Sequence, residues 1–454
     1  MTCLPSFDIE SLPPELDILD SDELSELPPT YAAEAETHDS LPSPSDSRRS
    51  ALTSGNSTKK RTLEDAGFMF GRLPPSRDHI RRRLDRELKV IKNGHQPRRS
   101  VVGEVVRSAC ERSVNLDAET LPASSCGYQA RIPSEIDVPG DGKLADYLAA
   151  GYRHEKWDGI TPTPYQDAQN RVFMVLAGKL DDRDSRPPGL PSFDESCAEV
   201  ATAILDAGEK AQFSPEELSH RRGNHGLGLH GIFHGNGTKK PCNLKMGRHA
   251  ELLKELCGDW HVKRMASFAS SCFKLWAPRV FQEYHDKLSE LQEHDVTLKM
   301  PFVKSVYPCV GFNFGPRVCT VPHRDHYNVP YGWCSIQSFG EFDHREGGHL
   351  VIHDLKLVID FPAGSVILIP SATLTHSNTP VQEGETRVSM TQFCSGGLFR
   401  YVDNRFQTQD GLRETDKEAW KEIMTKKATR WREGLELLST MEELQTEANV
   451  VISG

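Results

Sequence analysis

The chain has 454 residues, of which 37% are hydrophobic, with a mean hydropathy of −0.52 and a formal net charge of −11. This length is enough for about two to three domains, but the low hydropathy predicts a globular body together with a sizeable disordered part. No run of eighteen apolar residues occurs, so the sequence predicts no segment that spans a membrane. The 11 Cys form no CxxC pair, which indicates reduced thiols in a cytosolic or nuclear protein.

The charge is distributed unevenly along the chain. Residues 1–46 contain twelve acidic residues and no Lys or Arg, whereas residues 47–112 contain seventeen Lys or Arg and seven acidic residues. An acidic tail is thus followed by a basic segment, which is compatible with nucleic-acid contact. Arg48-Arg49 and, nine residues later, Lys59-Lys60-Arg61 resemble a two-part nuclear import signal, and we therefore predict a nuclear protein.

Two segments precede the predicted globular body. Residues 1–58 are rich in Ser, Pro and acidic residues and are predicted to be a disordered acidic tail. The spaced Leu and Ile residues of 9–27 would form either a transient helix that binds a protein partner or part of a solvated tail. Residues 59–124 are predicted to be a basic segment that is mostly disordered or helical.

Residues 125–300 are predicted to mix helices and strands. The apolar run NRVFMVLAG (170–178) indicates a buried strand, and residues 195–211 have the apolar spacing of a helix. Residues 248–294 are predicted to form two helices that pack behind a sheet.

The Gly-rich segment 222–241 is predicted to be a flexible loop near the substrate, because Gly permits close approach of the backbone. His225, His230 and His234 in this segment offer zinc as an alternative. No fourth ligand follows at regular spacing, which is evidence against zinc.

The pattern of apolar residues changes at residue 301. Short apolar or alternating runs, separated by turn-like segments, predict five or more strands without helices between them. We therefore predict an α+β protein in which residues 301–410 form a double-stranded β-helix (jelly-roll) core with supporting helices. Residues 411–454 are predicted to form a charged C-terminal helix.

Three residues of this core have the pattern of a metal site. His323 and Asp325 are two residues apart, so on an extended segment both side chains point to the same side. His376 follows two predicted strands later. Two His and one carboxylate on one face of a metal are typical of non-haem Fe(II) oxygenases. The H-x-D pattern alone is a weak signal.

Arg387 and Ser389 sharpen this prediction. They are also two residues apart on a predicted strand, and a buried Arg requires an anion such as a carboxylate. Together they would bind the distal carboxylate of 2-oxoglutarate, whose keto-acid end chelates iron. In the alternative interpretation, Arg387 pairs with an acidic residue of the protein such as Asp360.

The segments HRDHYN (323–328) and HSNTPVQEGETRVSMTQF (376–393) resemble the TET/JBP family, whose members oxidise 5-methylpyrimidines in DNA with Fe(II), 2-oxoglutarate and O2. The longer run 332–378 resembles a branch that is abundant in basidiomycete fungi. The resemblance covers about residues 300–405.

The resemblance implies a role for each matching residue. His323, Asp325 and His376 would be the iron ligands, and Arg387 would anchor 2-oxoglutarate beside Ser389. Asn328 would hydrogen-bond the flipped base and Phe393 would stack on it. Asn313 and His349 are further candidates for contact with the keto-acid end of 2-oxoglutarate, although no motif fixes either. Some family members have a base-binding His where this chain has Ser395.

The implied partner is double-stranded DNA that contains a methylated base. The amide of Asn328 fits 5-methylcytosine and N6-methyladenine alike, and the family resemblance favours 5-methylcytosine. Two alternatives remain at this stage. One is a 2-oxoglutarate oxygenase that acts on RNA, protein or a small molecule, and the other is an inactive, transposon-derived DNA-binding module.

Overall fold

The structure is a computed structural model that describes residues 99–181, 191–235, 237–245 and 247–450. The predicted acidic tail (1–58), the predicted import signal and most of the basic segment 59–124 lie outside these ranges. None of the helices within these ranges is long and apolar enough to cross a membrane.

The described residues form twelve α-helices and fifteen strands. The helices are α1 (Arg99–Arg107), α2 (Leu144–Ala149), α3 (Phe193–Ala211), α4 (Pro215–Leu218), α5 (Ala250–Gly258), α6 (Trp260–Trp276), α7 (Pro278–His294), α8 (Gly396–Asp403), α9 (Gln409–Thr415), α10 (Lys417–Lys426), α11 (Arg430–Glu436) and α12 (Met441–Val450). The strands are β1 (Arg112–Ser113), β2 (Arg153–Glu155), β3 (Thr163–Gln166), β4 (Val172–Gly178), β5 (Ser219–His220), β6 (Gly223–Asn224), β7 (Gly226–Phe233), β8 (Cys242–Asn243), β9 (Cys309–Phe314), β10 (Cys334–Phe339), β11 (Leu350–Ile352), β12 (Leu357–Ile359), β13 (Val366–Ile369), β14 (His376–Asn378) and β15 (Val388–Phe393).

Two mainly antiparallel sheets organise the body. The larger sheet has nine strands in the order β1-β3-β4-β13-β10-β15-β9-β7-β8, and the smaller has four in the order β14-β11-β12-β2. The strands β5 and β6 form a separate hairpin. The chain is therefore a mixed α+β protein with large antiparallel sheets, as predicted.

The central strands of the larger sheet are buried on both faces. On the outer face, Phe312 and Met390 pack against Val200 and Ile204 of α3, which begins with a capping box at Ser192. On the inner face, residues such as Ile336 belong to a core that also contains side chains of the smaller sheet. Burial on both faces explains why β4 and β13 have near-continuous apolar sequences.

The upstream segment contributes directly to both sheets. The predicted strand 170–178 corresponds to β4, which pairs with β13, and β7 pairs with β9 along six residues. The short strand β2 forms the edge of the smaller sheet beside β12. The two sheets thus extend beyond residues 301–410, the range that was predicted for the double-stranded β-helix core. The segment 248–294 forms three helices instead of the predicted two.

The central part of the Gly-rich segment, Gly226–Phe233, is the strand β7, so its interpretation as a flexible loop is wrong for these residues. Its glycines allow other side chains to pack directly on the strand, because a Cβ on Gly228 would lie 2.6 Å from Leu253 Cδ2, and one on Gly226 would overlap the ring of Phe213. Such close approach is a common reason for Gly inside a strand. Among the described residues, no metal-binding group includes His225, His230 or His234.

The C-terminal segment forms four short helices, α9 to α12, instead of the single helix predicted for residues 411–454. Asp416 has a non-helical backbone and its side chain accepts a hydrogen bond from the amide of Ala419. A new helix therefore begins where the sequence suggested continuity, because Asp is a strong N-cap residue.

Candidate functional site

The three predicted metal ligands lie together. One ligand atom from each of His323, Asp325 and His376 lies within 4.8 Å of the other two. His323 and His376 exchange two backbone hydrogen bonds of 3.0 Å, and their ring centroids are 4.3 Å apart. The amide of Asp325 donates to the carbonyl of Ser371 at 2.9 Å. We call these three residues the inner group, because they lie between the two sheets.

The two imidazoles of the inner group are oriented for metal binding. His323 Nδ1 lies 2.7 Å from the carbonyl oxygen of Val321, and His376 Nδ1 lies 2.9 Å from that of Leu374. A carbonyl oxygen can only accept, so each Nδ1 carries the proton and each Nε2 keeps its lone pair. Metal-bound histidines usually have this arrangement. Burial also lowers the pKa of both imidazoles, which favours their neutral form.

The Asp325 carboxylate is paired with a cation that the sequence analysis had not identified. Arg222 Nη2 lies 2.5 Å from Asp325 Oδ1. Burial alone would raise the pKa of Asp325, but the positive charge of Arg222, with a smaller contribution from Arg221, holds this pKa well below its usual range. The carboxylate is therefore ionised and able to bind a metal.

Arg222 reaches this position from the turn of the β5–β6 hairpin. The amide of Val321 donates to the carbonyl of Arg222 at 2.9 Å, which fixes the hairpin to the segment just before His323. Gly223 follows in the left-handed region at φ +138°, and a Cβ there would lie 2.7 Å from the carbonyl oxygen of Cys319. Only Gly permits this approach without displacement.

Arg387 is a buried cation without a carboxylate partner. Only 1% of its surface is exposed, and its Nη1 donates to the carbonyl oxygen of Val318 at 3.1 Å. Its Nε has no hydrogen-bond partner, and no ion pair of Arg387 occurs within the described ranges. Burial lowers the pKa of Arg387 to about 10, so the guanidinium stays charged near neutral pH. An unpaired buried charge of this kind is costly unless a ligand compensates it.

The alternative in which Arg387 pairs with Asp360 is wrong. Asp360 Oδ1 instead lies 2.5 Å from His154 Nε2 and 3.4 Å from His349 Nε2.

Ser389 and Asn313 lie on neighbouring strands beside Arg387. They are paired in the register of β15 and β9, and Asn313 Nδ2 donates to Ser389 Oγ at 2.8 Å. Because Ser389 accepts this bond, its hydroxyl proton is free to donate to a further group. One cavity between the sheets contains this pair, Arg387 and the inner group. It is lined by Arg222, Asn313, Thr320, His323, Asp325, Cys334, Ile336, Leu350, His376, Asn378, Arg387, Ser389, Thr391 and Phe393.

The two predicted base-binding residues differ in position. Phe393 lines the cavity and is half-buried. Asn328 is not among the residues that line it, and its Nδ2 donates to Ser371 Oγ at 3.1 Å. Ser395, where some family members have His, is held by the backbone of His234 through its hydroxyl group. Neither Asn328 nor Ser395 therefore faces the cavity in this structure.

His349 does not lie in the cavity, contrary to the sequence-based prediction. Its neighbour Leu350 lines the cavity, and successive strand residues point to opposite faces, so His349 points to the outer face of the smaller sheet. There its Nδ1 lies 2.7 Å from Thr379 Oγ1. The same alternation that directs the side chains of His323 and Asp325 to one side thus excludes His349 from the cavity.

Comparisons with known proteins give weak similarities. No family model matches the chain, and no curated protein matches it. The solved structure of NgTET1 in complex with 5mC DNA matches at a TM-score of 0.36 and 14% identity, over 62% of this chain and 90% of that one.

Two other oxygenase structures show still lower scores. A 2OG-Fe(II) oxygenase family protein from Burkholderia pseudomallei has a TM-score of 0.23 and 20% identity, over 37% of this chain and 66% of that one. The viral collagen prolyl hydroxylase of Paramecium Bursaria Chlorella virus-1, solved with 2OG, has a TM-score of 0.22 and 12% identity, over 45% and 93%. All three TM-scores are below 0.5, so the side chains of the site have to carry the functional conclusion.

Proposed function

We propose that the chain is an Fe(II)- and 2-oxoglutarate-dependent dioxygenase with a double-stranded β-helix core. One observation carries the proposal: the cavity holds two neutral imidazoles and a carboxylate within ligand distance of each other, and a buried, unpaired Arg387. The first set fits Fe(II) in a facial arrangement of two His and one carboxylate. The second fits a carboxylate of the cosubstrate.

Each residue of the cavity then has a defined task. His323, Asp325 and His376 hold the metal, and the carbonyls of Val321 and Leu374 keep the two imidazoles in the ligating tautomer. Arg387 binds the distal carboxylate of 2-oxoglutarate, and Ser389 donates to the same group while Asn313 fixes its hydroxyl. Iron and 2-oxoglutarate, when bound, supply the activation of O2 that oxidises a C–H bond and yields succinate and CO2.

The proposed substrate is 5-methylcytosine in double-stranded DNA, which would be oxidised to 5-hydroxymethylcytosine and further oxidised forms in the nucleus. N6-methyladenine is a possible second substrate. The methyl group reaches the metal only if the base leaves the helix. Phe393, which lines the cavity, would stack on this base.

Arg221 and Arg324 add positive charge next to the inner group, where Arg221 Nη1 donates to the carbonyl of Arg324 at 3.2 Å. Positive charge at this position suits a phosphate backbone.

One observation favours a second candidate substrate class. The amide of Asn328, expected to read the base, is bonded to Ser371 and does not line the cavity. A 2-oxoglutarate oxygenase that acts on RNA, protein or a small molecule would not need that amide. For DNA oxidation, the bond between Asn328 and Ser371 has to open when the base binds.

The test is to incubate the purified full chain with Fe(II), 2-oxoglutarate, ascorbate and duplex DNA carrying 5-methylcytosine or N6-methyladenine. Nucleosides and succinate are then measured by mass spectrometry. We expect hydroxymethylcytosine that is absent from a His323→Ala/Asp325→Ala variant. Absence of both oxidised 5-methylcytosine and conversion of N6-methyladenine to adenine, relative to this control, contradicts the DNA substrate. Succinate formed without either change in the nucleosides would support the cosubstrate chemistry and reject DNA.

A further inference from the structure

A second group of two His and one Asp lies on the outer face of the smaller sheet. One ligand atom from each of His154, His349 and Asp360 lies within 4.8 Å of the other two. They come from β2, from the residue before β11 and from the residue after β12, which are three adjacent strands. Register explains the convergence, because Leu350 pairs with Ile359 and His154 pairs with Val358. We call these three residues the outer group.

The donor atoms of the outer group point at one another. His154 Nε2 and His349 Nε2 lie 2.5 Å and 3.4 Å from the same Asp360 Oδ1. The two imidazole rings are edge-on, with centroids 5.8 Å apart. Both rings thus direct Nε2 at the same carboxylate oxygen, and an ion shared by the three residues would replace the proton that lies between His154 Nε2 and Asp360.

A buried nitrogen that forms no regular hydrogen bond lies at this point. His349 is fully buried, with 0% exposure, and its Nε2 forms no hydrogen bond, although Asp360 Oδ1 lies 3.4 Å away. Its Nδ1 is held by Thr379 Oγ1 at 2.7 Å, and the hydroxyl of Thr379 also accepts from the amide of His349 at 3.0 Å. A side chain held on one ring nitrogen with the other left free is the usual state of a histidine ligand.

We propose that the outer group is a second metal site, which binds a divalent transition ion of the Zn²⁺ class. Two imidazole nitrogens and one carboxylate oxygen suit Zn²⁺ and disfavour Ca²⁺ or Mg²⁺, which take oxygen ligands. Ligand atoms of a tetrahedral Zn²⁺ site lie about 3.3 Å apart, close to the separation already present between His349 Nε2 and Asp360 Oδ1.

The ion can reach the site from one side. His154 is 16% exposed at its side chain, whereas those of His349 and Asp360 are buried. A shift of His154 toward solvent opens its short contact with Asp360 and leaves room for an ion and a water ligand. The fourth position would be taken by this water.

The site would fasten an edge strand. Because β2 comes from the upstream segment and pairs only with β12 in this sheet, an ion shared by the outer group ties this strand to the strands that carry the inner group. The two groups use opposite faces, so the proposed ion is structural and separate from the catalytic metal.

The test uses the full chain in the His323→Ala/Asp325→Ala background, which removes the inner group and makes the result independent of the proposed catalysis. The protein is stripped with a chelator and titrated with Zn²⁺ or Co²⁺. We expect one tight equivalent, together with a visible Co²⁺ spectrum that lacks the near-ultraviolet band of thiolate ligands. This equivalent disappears when either His154→Gln or Asp360→Asn is added, and it persists with Asp343→Asn, a matched exposed carboxylate nearby.

Thermal unfolding separates the metal site from a simple hydrogen-bonded group. Zn²⁺ should raise the Tm of the background protein, since an ion that binds only the folded state stabilises it, and should not raise the Tm after Asp360→Asn. The side chain of His154 is partly exposed. We therefore expect His154→Gln to keep the fold even if Asp360→Asn does not. The proposal is overturned if the background binds no tight equivalent, if binding survives His154→Gln, or if the Co²⁺ spectrum shows thiolate ligands.

Discussion

The inner and outer groups contain the same three side-chain types on opposite faces of one small sheet, yet their surroundings differ. In the inner group, main-chain carbonyls hold both imidazoles, and Arg222 and Arg387 lie in the same cavity. In the outer group, a threonine hydroxyl holds His349, and no Arg or Lys forms an ion pair with Asp360 within the described ranges. If both proposals hold, two His and one Asp determine the preference for a metal, whereas the neighbouring cations determine whether an anionic cosubstrate binds beside it.

The largest expected effect concerns Arg387, which has no counterpart in the outer group. Arg387→Met should weaken 2-oxoglutarate binding by about 100-fold or more, because truncating one partner of a buried charge pair costs about 2–5 kcal/mol. The Tm of the free protein should stay unchanged or rise, since the substitution removes a buried charge that lacks a partner. Calorimetry with 2-oxoglutarate and thermal unfolding check both parts.

The matched control is Arg405→Met, because Arg405 pairs with Asp416 at the surface. If Arg387→Met bound 2-oxoglutarate as tightly as the original protein, Arg387 would not bind the cosubstrate. The proposed difference between the inner and outer groups would then be wrong.

A second prediction concerns the pairing of Arg222 with Asp325. Arg222→Met should lower the free energy of unfolding of the metal-free protein by about 2 kcal/mol, because it leaves a largely buried carboxylate without its cation. Bound Fe(II) should restore part of this loss by compensating the same carboxylate. Urea unfolding with and without Fe(II) measures the difference, and an equal loss in both conditions would argue against a metal at Asp325.

A side-chain hydroxyl orients His349 in the outer group, whereas main-chain carbonyls orient the two histidines of the inner group. Only the hydroxyl can be removed by a substitution. Thr379→Val keeps the shape of the side chain but removes the hydroxyl that holds His349 Nδ1. We expect the free energy of unfolding to fall by about 2 kcal/mol, because the substitution removes two buried hydrogen bonds of this hydroxyl, to Nδ1 and to the amide of His349, each worth about 1 kcal/mol. Chemical denaturation of the metal-free protein checks this value, with Thr202→Val on the exposed face of α3 as the control. A loss no larger than that of the control would show that Thr379 does not position His349.

The smallest effect is a pH dependence from a histidine outside both groups. Burial lowers the pKa of His234 to about 4, against about 6.5 in an unfolded chain. Between these values the unfolded state binds a proton that the folded state does not, so the free energy of unfolding falls as the pH drops from about 6.5 to about 4. His234→Gln should therefore be more favourable relative to the original protein at pH 5 than at pH 7. Parallel pH profiles from urea unfolding would contradict this assignment.

Period-two alternation accounts for most of what could be predicted from the sequence. It placed His323 with Asp325 and Arg387 with Ser389, and the strand at 170–178 and the helix near 195–211 are both present. These features depend on short-range spacing, which the backbone geometry of a strand or helix fixes locally.

Long-range placement could not be predicted in the same way. Arg222 reaches Asp325 from a hairpin about a hundred residues upstream, and no local pattern indicates that contact. His349 was assigned to the wrong face because its strand register was unknown, and a shift of one residue reverses the face of every side chain. The strand β7 was not predicted, because its glycines make room for side chains that are distant in sequence, such as Leu253.

The pairing of β4 with β13 also affects how fast this protein folds and where it can be cut into stable fragments. Val175 lies opposite Leu368, and His154 lies opposite Val358. The strands β2 and β4 can therefore pair only after most of the polypeptide has been synthesised. Folding dominated by such distant pairs is slow. A fragment that starts at residue 301 would leave β12 and β13 with bare backbone edges, which promote aggregation. Recombinant pieces that retain the inner group should therefore begin upstream of β2.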